Sequence, residues 1–183
     1  MEFVKSLKQT KLIKYIFIAL LGSILLAISS KIKIPFYPVP MTMQTLVVLF
    51  IGICFGWKLG VATISLYLFE GIIGLPVFSG SPEKGVGITY FTGPTMGYLI
   101  GFIVTGFIAG KFIYDNNYIK TFFKLIFATS FIYMFGMLWL GFLIGWDKPI
   151  FKLGAQPFLL AELFKILITT LVINKIKKFR KFI

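Results

Sequence analysis

With 183 residues, of which 58% are hydrophobic and 14% charged, the chain lacks the polar residues needed to cover a water-facing surface. A soluble domain of this size carries about 25% charged residues. The net charge of +13 does not point to nucleic acid, because the basic residues sit at the ends of apolar runs. The absence of His and the presence of a single Cys, Cys54, exclude His-dependent triads, the commonest metal ligand and an intrachain disulfide.

A membrane-spanning helix needs about 20 mostly apolar residues. The runs available predict an all-α integral membrane protein: one membrane domain over residues 1–183 with six transmembrane helices. The first span is expected over 15–30. Lys5, Lys8, Lys11 and Lys14 precede it as they would a signal peptide, but no small-residue cleavage site leads into a soluble domain, and more membrane helix follows. The second and third spans, 41–55 and 59–73, are short and meet near Trp57. The fourth runs over 94–113, the fifth over 121–144 and the sixth over 157–174.

Lys and Arg accumulate on the cytoplasmic side of short loops. With the N-terminus inside, thirteen basic residues fall inside: the four N-terminal lysines, Lys58, Lys111, Lys120, Lys124, Lys175, Lys177, Lys178, Arg180 and Lys181. Five fall outside: Lys31, Lys33, Lys84, Lys148 and Lys152. This asymmetry predicts both termini in the cytoplasm and a multi-pass protein of the plasma (inner) membrane, in contact with membrane lipid.

The two outer loops are apolar and aromatic where a solvated linker would be polar. One carries Pro35, Pro38 and Pro40, whose fixed φ favours a stiff extended segment. The other runs from Leu75 to Pro94 and holds Gly80, Tyr90 and Phe91. Both are expected to fold back over the bundle and close a cavity. Glu162 and Lys165, three residues apart in the sixth span, share one helix face. A charge in hydrocarbon costs about 2.5 to 3.5 kcal/mol, so the pair is expected to face a wet cavity or a ligand. A structural ion pair is the plainer alternative. Glu70, near the outer end of the third span, is a weaker candidate. Stripes of small residues, Ala19, Ser23 and Ala27 on span one and Gly97, Gly101, Thr105 and Ala109 on span four, mark close helix contacts, within the chain or with a partner. No phosphate-binding Gly-Lys-Ser/Thr motif is present, so any ATP hydrolysis would fall to another subunit.

Four motifs, in order along nearly the whole chain, resemble the BioY family of biotin-binding S components of energy-coupling-factor transporters: Pro35-Phe36-Tyr37-Pro38-Val39-Pro40-Met41-Thr42-Met43-Gln44-Thr45, Gly74-Leu75-Pro76-Val77-Phe78, Gly93-Pro94-Thr95-Met96-Gly97-Tyr98 and Glu162-Leu163-Phe164-Lys165. The resemblance implies a subunit that captures extracellular biotin with high affinity, with a transmembrane coupling subunit and two cytoplasmic ATPases as partners, and with no enzymatic activity, metal or cofactor of its own. It implies ligand contacts from Glu162, Lys165, Tyr98, Tyr90, Gln44, Ser79 and Gly80, and a docking face at Ala19, Ser23 and Ala27. The chain departs from the family pattern in having Glu162 in place of Asp and Met96 in place of Gly. A stand-alone secondary carrier for biotin or a related small vitamin is the competing reading. An intramembrane enzyme is disfavoured by the missing His and the missing acidic cluster.

Overall fold

The computed structural model describes residues 2–34, 37–83 and 85–183, with side chains from residue 11 onward. Pro35, Phe36, Lys84 and the side chains of Lys5 and Lys8 lie outside that description. Among the described residues the regular structure is helical apart from one short hairpin. Helix α1 (Glu2–Lys31) leads into strands β1 (Lys33–Ile34) and β2 (Met41–Thr42). These pair antiparallel, with Lys33 opposite Thr42 and Ile34 opposite Met41. Helices α2 (Gln44–Ile72), α3 (Met96–Lys111), α4 (Tyr118–Ile144), α5 (Ile150–Gly154) and α6 (Leu159–Phe179) follow, with 3-10 turns at Gly87–Thr92 and Gln156–Phe158. Four stretches, 11–31, 44–72, 118–144 and 150–179, are long and apolar enough to cross a membrane, and α3 is a shorter apolar helix. The outward surface suits lipid. Leu160 is 81% exposed and Phe142 78%, which a water-soluble chain does not tolerate over so much of its surface.

Helix α2 is not one rod. Gly56 holds φ 73° and ψ 172°, a backbone region that is essentially glycine-only. A Cβ at Gly60 would lie 3.3 Å from the Gly52 Cα, and Gln44 Nε2 donates to the Tyr67 hydroxyl at 2.7 Å. In a straight helix, residues 23 apart would be separated by roughly 34 Å. The two arms, 44–55 and 57–72, therefore run antiparallel about a turn at Gly56.

That reversal sorts the chain into two ends. At one, Arg180 stands over Gly56, Lys14 Nζ donates to the Phe182 carbonyl, and Lys177 Nζ donates to the Tyr114 carbonyl at 3.1 Å. Lys58, Lys111, Lys120 and Lys124 flank the same end. At the other lie Lys31, the β hairpin, the connection from Ile73 to Thr95, and α5.

The small-residue stripe of α3 lets backbones close up. A Cβ at Gly97 would fall 2.3 Å from the Phe135 carbonyl of α4, and one at Gly101 would fall 2.5 Å from the Ile132 Cα. Thr105 Oγ1 donates to the Ala128 carbonyl at 2.7 Å. The stripe of α1 is also used within the chain. Ser23 is fully buried and its Oγ donates to Glu70 Oε1 at 2.8 Å. Ala27 packs against the hydrophobic core. Ala19 is buried too, at the edge of a groove beside Tyr15, Trp57 and Arg180. Small residues allow α1 to press on α2, and that contact leaves Ser23 no free surface for a partner.

Candidate functional site

At the end away from the basic cluster, a cavity with about 550 Å³ free of atoms, part of it open to the outside, lies among the helices. Its walls come from elements far apart in sequence. Val39, Pro40, Met41 and Thr42 come from the hairpin, Gln44 and Thr45 from the first turn of α2, and Ser79, Tyr90 and Thr95 from the long connection. Tyr98, Leu99 and Phe102 come from α3, Ile132 and Tyr133 from α4, Phe158 from the 3-10 turn before α6, and Glu162 from the first turn of α6.

Glu162 is 6% exposed and Lys165 4%. Lys165 Nζ donates to Glu162 Oε1 at 2.6 Å, to Thr45 Oγ1 at 2.8 Å and to the Thr42 carbonyl at 2.6 Å. Thr45 Oγ1 in turn donates to the same Glu162 Oε1 at 2.8 Å. Three acceptors thus surround the ammonium, and one carboxylate oxygen is fully engaged. Glu162 Oε2 is buried and makes no close hydrogen bond, and the Tyr133 phenol stands beside this carboxylate as a donor within reach. A buried charged oxygen left unpaired costs more than a neutral one, so the arrangement calls for a donor, which the Tyr133 phenol or a ligand can supply.

Ser79 is the second orphan. It is 3% exposed, it lines the cavity, and its Oγ has no partner. It occupies the second position of a turn closed by Ser81 N to the Phe78 carbonyl at 3.2 Å. Gly80, with φ 80°, takes the third position, where a type II turn requires positive φ. Tyr90 holds the turn from the cavity side, its hydroxyl donating to the Ser79 carbonyl at 2.7 Å. Burial pushes the Tyr90 phenol up, so it remains a protonated donor.

The structure brings Glu162, Ser79, Tyr90, Tyr98 and Gln44 to one cavity. Tyr98 contributes its ring, since its hydroxyl is already donated to the Gly154 carbonyl at 2.7 Å. Gln44 is likewise committed through Nε2 to Tyr67. Gly80 shapes the turn and does not line the wall. Lys165 stands behind the wall, holding Glu162 and the hairpin. Glu70 lies outside the cavity, bonded to Ser23. Thr45, Tyr133 and Phe158 are wall residues that sequence reasoning did not single out. Thr45 was within reach, as the hydroxyl ending the proline-rich motif. Tyr133 carried a weaker signal, as a phenol in mid-span.

The family model described as BioY family matches residues 4–182. The "Probable biotin transporter BioY" of Pyrococcus horikoshii is 32% identical over 84% of this chain and 90% of its own length. That of Rickettsia prowazekii is 32% identical over 98% of this chain and 92% of its own. "Biotin transporter BioY2" of Lactococcus lactis is 34% identical over 90% of each. Among solved structures, the fold resembles that of the S-component for biotin from an ECF-type ABC transporter, with a TM-score of 0.77, 24% identity, and coverage of 92% of this chain and 93% of that one. On sequence match over almost its full length, the chain belongs to the BioY family.

Proposed function

We propose that this chain takes up biotin, capturing it from outside as the membrane-embedded substrate-binding subunit of an energy-coupling-factor transporter. One observation carries the reading: two buried, unpartnered polar atoms, Glu162 Oε2 and Ser79 Oγ, meet in one largely apolar cavity. Biotin has a ureido ring with two N–H donors and one carbonyl, an apolar thiophane ring and a carboxylated chain. A ureido N–H satisfies Glu162 Oε2, and the Ser79 hydroxyl can donate to an oxygen of the ligand. Tyr90, Tyr98, Tyr133, Phe102 and Phe158 cover the rings. Lys165 and Thr45 fix the carboxylate before the ligand arrives, and such preorganisation strengthens binding. A molecule without an N–H at that place leaves a buried carboxylate unpaired, which is the basis of selectivity.

The same proposal includes the surroundings. Six helical segments cross the plasma membrane, counting the two arms of α2 separately, in one domain spanning the chain. Both termini are cytoplasmic, the cavity faces outward, and a transmembrane coupling subunit with two ATPases supplies the energy. The basic end in the structure and the relatives' names support this arrangement. Thermal melting of the purified protein tests the ligand assignment, because a ligand bound to the folded state raises the melting temperature by mass action. Biotin is expected to raise it in a concentration-dependent way, and thiamine and riboflavin to leave it unchanged. Equal shifts with all three would defeat the assignment. Labelled-biotin uptake into vesicles without any ATPase would instead indicate a stand-alone carrier.

A further inference from the structure

The turn that presents Ser79 is held largely from outside itself. The Val77 carbonyl accepts from Ser30 Oγ at 2.7 Å and from the Tyr67 hydroxyl at 3.2 Å. The Phe78 carbonyl accepts from Lys31 Nζ at 2.9 Å, and the Ser81 carbonyl from the same ammonium at 3.0 Å. Ser81 Oγ lies 3.4 Å from it. Both ends of the turn therefore close on one ammonium, at the last residue of α1. Among the described residues Lys31 makes no ion pair with a carboxylate, so its charge is spent on the backbone of this turn. Lys31 touches no wall of the cavity, and nothing in the capture of a ligand by Glu162 requires it.

We propose that Lys31 is a positioning residue for ligand retention: it clamps the 78–81 turn to the end of α1 and so sets how long a bound molecule stays in the cavity. The inference rests on the cavity being the biotin site. A ligand oxygen bonded to Ser79 is held as firmly as the turn itself, and the ammonium bonds two of the turn's carbonyls in addition to the bonds from Tyr90 and from Ser81 Oγ. Hydrogen bonds from a charged donor are among the stronger ones in a protein, and losses of this kind are read mainly in the dissociation rate. Ser30 adds a neutral bond at the neighbouring position, so its removal has a smaller effect in the same direction.

The test uses the full chain in lipid nanodiscs with Lys31→Ala and Lys31→Arg. Biotin association and dissociation rates are measured, together with amide exchange of the segment from Ser79 to Ser81 in the absence of ligand. Lys31→Ala is expected to speed dissociation about tenfold or more, with association changed less than about threefold. Exchange in the turn rises while α3 and α4 keep their protection. Lys31→Arg, which keeps the charge and the donors, recovers most of the retention. A folded Lys31→Ala protein with unchanged dissociation or unchanged turn exchange overturns the proposal. So does a loss of retention that only follows a fall in melting temperature of the whole protein. If the unmodified protein fails to bind biotin, the functional reading falls, while the exchange measurement still decides whether Lys31 holds the turn.

Discussion

Glu162 places a carboxylate in the interior of a helical bundle, and its neighbours show how that is sustained. One oxygen is held by Thr45 and Lys165, and the Tyr133 phenol stands beside the carboxylate. Glu162→Gln disturbs both halves. Its amide nitrogen must face either the Lys165 ammonium or the incoming ureido N–H, and in each case a donor meets a donor. A loss of about 2 kcal/mol in biotin binding, roughly thirtyfold in Kd, is expected, with equilibrium titration as the measurement. Lys165→Ala should cost a similar amount by letting the carboxylate move, and the loss should be partly recovered by Lys165→Arg. Unchanged affinity in folded Lys165→Ala protein would remove the residue from the account. The Glu162–Lys165 pair was legible in the sequence, because a spacing of three fixes a shared helix face. Thr45 was not legible as its partner: it lies 117 positions away, and only the packing of α2 on α6 brings it there.

At the scale of elements, Gly56 decides the path of the chain. Its φ of 73° with ψ of 172° is closed to residues with a Cβ, and a Cβ there would also lie 2.9 Å from the Arg180 guanidinium. Gly56→Ala should cost roughly 1–3 kcal/mol of stability, read as a lower melting temperature in detergent with the cavity's ligand preference retained. The break between the arms of α2 could be anticipated from Gly56-Trp57-Lys58 interrupting two apolar runs. The use of the α1 stripe could not. Small residues every four positions report that another helix comes close, without saying which one. Ser23, fully buried and bonded to Glu70, faces α2 within this chain. Ser23→Leu is therefore expected to lower the melting temperature and the retained biotin together. Normal stability and binding with uptake alone abolished would restore the stripe as a partner face.

Across the whole molecule, the alternating direction of the helical segments separates a basic end from a cavity end. Hydropathy made the membrane character plain, and the placement of Lys and Arg gave the expected orientation. A cavity under the outer loops could be anticipated from their apolar, aromatic character, but its full lining could not, because the walls are drawn from six separate stretches between Val39 and Glu162 and no local pattern records their meeting. A reporter fused after Ile183 should be cytoplasmic, and one inserted near Glu83 should be external. A C-terminal reporter found outside would reverse the proposed orientation. The central claim is that the orphaned Glu162 oxygen and Ser79 hydroxyl await biotin. Calorimetric titration of the purified full chain with biotin tests it most directly. Saturable heat with one biotin per chain is expected, sharply weakened in Glu162→Gln. Folded protein giving no saturable heat up to roughly millimolar biotin, or a Glu162→Gln variant binding as tightly as the unmodified chain, would contradict it.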